Sequence, residues 1–434
     1  MKSLKLVQSN RRLLALSVGL AIVLATLLLL SVLSSARGSE EPMIAPSYAN
    51  QGTASLSSSP VITIGVAAWL SGPGIQGWAE ANSVQLAVSQ TNAAGGINVG
   101  GITYTLVLVA ADDACDATQA ITAANTLLNT GAMAVVAHSC SRASMAAQPI
   151  YNAAGVAMIS PSSTIPRVTQ QECYTTTFRT IPHDGTVGTL LATYFRNWLG
   201  LSKSAIVESW YFAPGDAYSP AFTTLGGTIT SRRMATDTSY FTATLTAIQS
   251  ENPDVIVNFY MDPDYATAGG QFSKIAYDLG MTSVVIGWNS DGNDESVLVT
   301  YANAAGPTAA ENDYAVMRGR RLQDMPGWTT FLAAYQAAGF PNEPTDPGPF
   351  GAYAYDAAGI IIAAIDRADS TNPVAIRNEI AATKNYQGVV GTYQGFDPCG
   401  DPIPQWAWLE RYQNGQWLIL NPSRLFLPIV LKNY

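Results

Sequence analysis

Histidine is almost missing from this sequence: His138 and His183 are the only two in 434 residues. So few imidazoles leave little room for a multi-histidine metal site or a histidine-based catalytic set. Lysine is scarce too, with six residues, and 22 basic side chains stand against 31 acidic ones for a net charge of −9. That balance argues against nucleic acid, because phosphate binding needs clustered Lys and Arg. Charged residues make up only 12% and hydrophobic ones 48%, the reverse of the signature of a disordered chain. No GxSxG elbow, HExxH pair or Walker loop occurs, and no CxxC pair. No cysteine precedes Cys115, which excludes a lipid-modified N-terminal cysteine. What is present is length enough for two or three domains with ample core.

The first 36 residues carry an export pattern. Lys2, Lys5, Arg11 and Arg12 precede an uncharged run from Leu13 to Leu33, followed by Ser34-Ser35-Ala36. A basic start, an apolar middle and small residues at the end make a secretory signal, with cleavage expected after Ala36. The run is also long enough to span a bilayer, so an uncleaved anchor is the alternative. Cleavage would leave 18 basic against 31 acidic side chains, a net charge of −13. Residues 37–60 are small and polar, a flexible linker by composition. Export makes disulfides the expected state of Cys115, Cys140, Cys173 and Cys399, with buried free thiols as the alternative. Four cysteines allow three connectivities, and spacing alone does not choose between them. Cys115 and Cys140 each follow a predicted strand, so they could meet at neighbouring strand ends.

Beyond Pro60, strands and helices alternate. The spacing predicts strands at 61–70, 103–110, 133–137 and 156–159, with helices from Trp78 to Asn92, at 116–129 and at 142–152. A second series predicts a helix at 184–199, strands at 203–209 and 226–230, a helix at 239–250, a strand at 254–260, a helix at 265–279 and a strand at 283–287. Helices at 328–338, 351–367 and 373–382 follow, and strands at 389–394, 405–411 and 417–420 close the chain. Such alternation implies βαβ units, parallel sheets covered on both faces, and two similar α/β lobes. Trp406 and Trp408 read as packing residues of a half-exposed strand.

Gly72-Pro73-Gly74-Ile75-Gln76-Gly77 fits GxGxxG between a strand and a helix, the setting of a dinucleotide fingerprint. The spacing weighs against it. Asp112 and Asp113, the acids closing the next strand, lie about 35 positions on, where roughly 20 is usual. Pro73 also lacks an N–H in the loop whose amides would hold a pyrophosphate. A tight turn bordering a cleft is the better reading, no cofactor is expected, and an NAD-dependent enzyme is a remote alternative. His138, ending an apolar strand, reads as a hydrogen-bonded packing residue, and His183 as a loop or hinge residue. The segment 289–295 lacks the DxDxDG spacing of a calcium loop.

WLSGPGIQGWAEANSVQLAVSQTNAAGGI (69–97) resembles the N-terminal signature of the branched-chain amino-acid-type, leucine/isoleucine/valine-binding-protein-like solute-binding proteins of ABC transporters. DDACDATQAITAANTLL (112–128) is similar to that family's DDACDP-x-QA segment, residues 137–169 continue in register, and GTYQGFDPCGDP (391–402) resembles its FDxxGD close. The similarity spans about 61–420, strong in the first lobe and diffuse in the second. The resemblance implies the type I periplasmic-binding fold: α/β, two Rossmann-like lobes with parallel central sheets, joined by three hinge crossings. Mapped here, lobe one takes 61–180 plus 317–390 and lobe two 181–316 plus 391–420, with 421–434 as a tail. The crossings fall near 179–183, 315–320 and 390–396. Family members often pair cysteines at the positions of Cys115 and Cys140, which places Cys173 and Cys399 near the first and third crossings as a second bridge.

The resemblance also implies a ligand site beyond the carboxyl ends of the strands. Ser141, just past strand 133–137 and opening a helix, can hold a carboxylate with its hydroxyl and the neighbouring amides, and Ser162 and Thr164 match family positions that contact a ligand's α-carboxylate and α-amino groups, although Ser141 and Thr164 could instead be helix caps. Asp291 is placed to pair with an ammonium group, with Asn289 as the competing candidate. Trp78 and Phe350 look like aromatic walls, and Tyr211 only approximates its family role, because WYFAPGDAY replaces the usual YG. Near Asp262-Pro263 the expected aromatic is Met261, with Tyr260 one place earlier. The implied function is a monomeric extracytoplasmic binding protein that closes on an amino acid and delivers it to a membrane permease. Another amino acid, a small amide or an aromatic acid are further ligand classes, and a sensing module for a receptor is the alternative function. The tail run LFLPIVL is too short to span a bilayer and contains Pro428.

Overall fold

The structure, a computed structural model, describes residues 60–72, 76–209, 214–260, 264–290, 295–342 and 344–420. The export segment, linker residues 37–59, the tail, Tyr211, Met261, Asp262, Pro263 and Asp291 lie outside the described residues.

β1 (Val61–Ala68) shows why the first strand reads as a continuous apolar run. Side chains alternate across a strand, so Ile62, Ile64, Val66 and Ala68 enter one core cluster while Ala67 enters another on the opposite face. The first cluster is closed by α1 (Gln76–Ala93), the second by α2 (Ala117–Asn129) and α3 (Ser141–Ala154). With β2 (Ile97–Val99), β3 (Ile102–Asp112), β4 (Ala132–Ala137), β5 (Ala157–Ser160) and β6 (Thr177–Arg179), β1 forms a six-stranded sheet in the order β2-β3-β1-β4-β5-β6. Every ladder except β2–β3 is parallel, so the carboxyl ends of β1, β3, β4 and β5 share one edge.

After β6 and the short α4 (Arg167–Gln170) that precedes it, the chain passes through residues 180–183 into α5 (Asp184–Thr193), which packs in a different core. The second sheet contains β7 (Lys203–Glu208), β8 (Thr228–Met234), β9 (Val255–Phe259), β10 (Val285–Ser290) and β11 (Tyr314–Arg318). α6 (Pro214–Thr224), α7 (Phe241–Gln249), α8 (Tyr265–Asp278), α9 (Glu295–Ala305) and α10 (Pro307–Ala310) alternate with those strands. α6 was not expected from the spacing: Pro220 lies inside it and argues against a helix, while Pro214 takes its first position, where proline is tolerated. The expected helix at 184–199 finishes as a π-helical turn, Tyr194–Trp198.

The second crossing lies later than the expected 315–320. Tyr314–Arg318 is a fully buried strand paired with β10, so the chain leaves this sheet only after Arg318. It returns to the first core as α11 (Trp328–Ala338), α12 (Gly348–Ala368) and α13 (Pro373–Ala381). α12 is long and apolar enough to cross a membrane, but its side chains fill the first core.

The third crossing is also later than expected. β12 (Tyr386–Gln387) pairs with β13 (Thr392–Tyr393), and β14 (Gly395–Phe396) with β15 (Pro402–Ile403), as two small ribbons. Val390, Tyr393 and Trp406 are buried in the first core cluster, so residues 391–406 sit with the first sheet rather than the second. The chain then enters β16 (Ala407–Gln413) and β17 (Gln416–Ile419), which add antiparallel to β11, in the order β17-β16-β11-β10-β9-β7-β8. Trp406 and Trp408 are both buried, at 4% and 7%, so the expected half-exposed alternation does not hold. They enter different cores.

Both disulfides form: Cys115–Cys140 with Cα atoms 5.3 Å apart, and Cys173–Cys399 with 4.6 Å. The first joins the turns after β3 and β4. The second stitches the turn at 397–401 to the segment leading into β6, where Arg179 N–H also donates to Gly400 O at 3.0 Å.

Candidate functional site

The shared edge of the first sheet collects polar side chains that the strands themselves do not bury in apolar core. After β4 come His138, Ser139 and Cys140, and after β5 come Pro161, Ser162, Ser163 and Thr164. Side-chain hydrogen bonds hold the two turns together. His138 O accepts from Ser160 Oγ at 2.9 Å and Ser163 Oγ at 3.2 Å, and Ser162 Oγ donates to Ser139 O at 2.9 Å. His138 is fully buried with Nδ1 2.8 Å from Asp113 Oδ2, the packing role expected of it.

Ser141 is the first residue of α3, and Cys140 is the N-cap without any side-chain capping bond. α4 starts after Pro166, so neither Ser141 nor Thr164 is an N-cap, and that alternative falls. Instead Ser141 Oγ accepts from Thr164 N–H at 3.1 Å and from Ile165 N–H at 3.3 Å. A serine hydroxyl has two lone pairs and one proton. With both lone pairs engaged, Ser141 can act toward anything else only as a donor. It is half-buried, next to the uncapped first turn of α3, where backbone N–H groups and the helix dipole favour an anion.

Thr164 also ties this region to the crossings. Its carbonyl accepts from Asp184 N–H at 2.8 Å, and Asp184 Oδ1 lies 2.9 Å from Arg318 Nη2 in an ion pair buried on both sides. Arg179 donates to Ser163 O at 2.9 Å and pairs with Asp401 at 2.6 Å. His183 caps α5, accepting from Gly185 N–H at 3.0 Å. Burial, assisted by Arg179 and opposed by Asp401, lowers its pKa to about 4, so it is neutral at pH 7.

α1 forms the opposite wall. Gly77 is required where this helix meets the end of β1, because a Cβ there would stand 2.1 Å from Trp69 O. Trp78 is half-buried, its Nε1–H donating to Leu70 O at 2.9 Å, and Phe350 is half-buried in the first turn of α12. Both pack against the first core cluster. Asp112 Oδ1 accepts from Leu70 N–H at 2.9 Å and Ala114 N–H at 2.8 Å, closing the local turn rather than waiting for a ribose.

Glu80 was not singled out by the sequence. It is 1% exposed, with Oε2 accepting from Ser139 Oγ at 2.7 Å and Oε1 from Gln76 Nε2 at 3.1 Å. Burial raises its pKa to about 7 against the lowering effect of Ser139, Ser162 and Gln76, and Asp113 adds a small rise.

The structure therefore brings Ser141, Ser162 and Thr164 together on the first sheet. Asn289 lies near the carboxyl end of β10 on the second sheet, buried beside Val316 in the ladder. Among the described residues no group of three His, Cys, Asp or Glu is arranged to hold a metal ion.

A family model described as periplasmic binding protein matches residues 61–415. The leucine-specific-binding protein of Salmonella typhimurium is 29% identical over 327 residues, 74% of this chain and 83% of that protein. The branched-chain amino acid transporter substrate binding protein LivJ from Streptococcus pneumoniae, solved in complex with isoleucine, aligns at 26% identity with a TM-score of 0.62, over 83% of this chain and 100% of that one. An ABC transporter substrate-binding protein from Desulfitobacterium hafniense in complex with Leu aligns at 25% identity with a TM-score of 0.63, over 83% and 99%.

Proposed function

This chain belongs to the periplasmic binding protein family, and on that premise we propose that it captures a branched-chain amino acid such as leucine outside the cytoplasm and delivers it to an ABC permease. The names of its relatives support the ligand class. One observation carries the placement of the site: Ser141 Oγ is saturated as an acceptor and left only its proton to give. A ligand carboxylate is the partner that such a donor, beside an uncapped helix start, is built to meet.

In this reading Ser141, Ser162 and Thr164 hold the α-carboxylate and α-amino ends on lobe one, while Trp78 and Phe350 border the side chain. Asn289 and Asp291, with Tyr211, supply the facing groups from lobe two. Thr164–Asp184–Arg318 links the site to the first two crossings, so closure about residues 180–183, 319–327 and 406–408 follows occupancy. Residues 1–36 direct export, by cleavage or as an anchor, and the closed monomer presents both lobes to the permease. Binding is the whole of its chemistry, with no bond made or broken in the ligand.

Thermal unfolding against a panel of amino acids, amides and aromatic acids tests the reading. L-Leucine at 100 times its dissociation constant should add about 2.7 kcal/mol of stability. Ser141→Ala should weaken leucine binding by about 1.5–3 kcal/mol, the range for a hydrogen bond to a charged group. No shift with any amino acid, or unchanged affinity in the variant, would overturn the ligand class or the site respectively.

A further inference from the structure

The buried carboxylates of this protein differ in their company. Asp184 faces Arg318, Asp401 faces Arg179, Glu208 faces Arg232, and Asp113 faces His138. Glu80, beside the candidate site, has the Ser139 hydroxyl and the Gln76 amide as donors, and no cation among the described residues. Its wall is shared with the site itself. Ser139, which donates to Glu80, has its carbonyl bonded by Ser162, a residue assigned to the ligand's charged end.

A ligand carboxylate seated at Ser141 and Ser162, with its ammonium group turned to Asn289 and Asp291 as in the reading above, would bring a negative charge close to a buried carboxyl group that has no cation among the described residues. Two carboxylates sharing one poorly solvated site are not both ionised at low cost, and one of them takes a proton. We propose that Glu80 is a positioning residue that takes up a proton as the site fills, so that capture of a carboxylate ligand is coupled to proton uptake. This rests on the amino-acid reading above.

The donor arithmetic gives the proton a structural consequence. With Glu80 ionised, Ser139 must give its only proton to Oε2, while its oxygen accepts from Trp69 N–H at 3.0 Å. With Glu80 neutral, the acid O–H can donate to Ser139 Oγ instead, which releases the Ser139 proton. A pKa of about 7 in the free protein puts Glu80 where ligand charge can decide its state.

The other titratable groups facing Glu80 come from β3, the turn after β4, α11 and α12. Asp113 at the end of β3 is bonded to His138, and Asp112 to backbone amides. α11 and α12, packed on α1, bring Tyr335 to Asn82 and Tyr355 to Gln90. Tyrosines are neutral throughout this range.

Calorimetric titration of the full chain with L-leucine at pH 6, 7 and 8, in two buffers of different ionisation enthalpy, tests the coupling. Uptake should approach about one proton per leucine at pH 8, and the dissociation constant should rise about tenfold from pH 6 to pH 8. Glu80→Gln, a permanently neutral shape-mimic, should show neither effect and keep the pH 6 affinity across the range. Leucinol, which lacks the carboxylate and keeps its ammonium charge through pH 8, should bind without proton uptake. The same leucine affinity at pH 6 and 8 with no buffer-dependent heat would overturn the proposal without needing any variant. No leucine heat at any pH would overturn the amino-acid reading, and this proposal with it.

Discussion

Removing the two disulfides separately should cost different amounts, and the structure sets the difference. Cys115–Cys140 closes a loop of 25 residues, whereas Cys173–Cys399 closes one of 226 that contains the whole parallel part of the second sheet. In the chain-entropy description a cross-link stabilises by restricting the unfolded chain, as 2.1 + 1.5R ln n in cal/mol/K. That gives about 3.5 kcal/mol for the short loop and about 5.4 kcal/mol for the long one at 25 °C. Neither bridge encloses the other, so the two contributions are separable. Urea unfolding of the Cys115→Ser/Cys140→Ser and Cys173→Ser/Cys399→Ser double variants measures them directly. The long bridge should cost about 2 kcal/mol more, and its loss should steepen the denaturant dependence, because the freed unfolded chain exposes more surface. A short-bridge variant that is equally or more destabilised would refute the reasoning, and would mean that local fastening at β3 and β4 outweighs restriction of the unfolded chain.

Burial raises Asp356 to about 7 and Asp313 to about 8, so both are neutral in the fold and their stabilisation is complete below the ordinary carboxyl range and lost as pH rises through 7 to 8. Scanning calorimetry should therefore find a higher melting temperature at pH 6.5 than at pH 8.5, and Asp313→Asn should flatten that slope. Arg318→Met alone should destabilise by about 3–5 kcal/mol by stranding buried Asp184, and adding Asp184→Asn should restore part of the loss in urea titrations. Gly77→Ala would force α1 away from Trp69 O, costing about 1–3 kcal/mol and weakening leucine binding in the same preparation.

How much of this was legible in the sequence depended on whether a residue's role is local. β1 was readable because burial on both faces leaves an unbroken apolar run. α6 was not, because the internal Pro220 opposes a helix that packing against α5 nonetheless supports. β11 was hidden because it ends in Arg318, whose burial requires Asp184 from a distant helix start. The third crossing was placed too early because its two-residue ribbons carry no period, and only the burial of Tyr393 and Trp406 assigns them to the first core. At the candidate site, Ser141 stood out by its place between a strand end and a helix start, and Thr164 through family resemblance. Glu80 was not, since an acid in a helix of small residues reads as solvent-facing until β4 and β5 are folded over it.

The placing of Trp406 and Trp408 in separate cores has a mechanical consequence. Two residues apart, they leave only Ala407, the first residue of β16, between anchors, whereas Ile181 and Val187 stand six apart at the first crossing and Met317 and Met325 eight apart at the second. A linkage with unequal slack turns about its tightest member. The axis of any opening rotation should thus run close to Ala407, with the longer crossings sweeping around it as free arms.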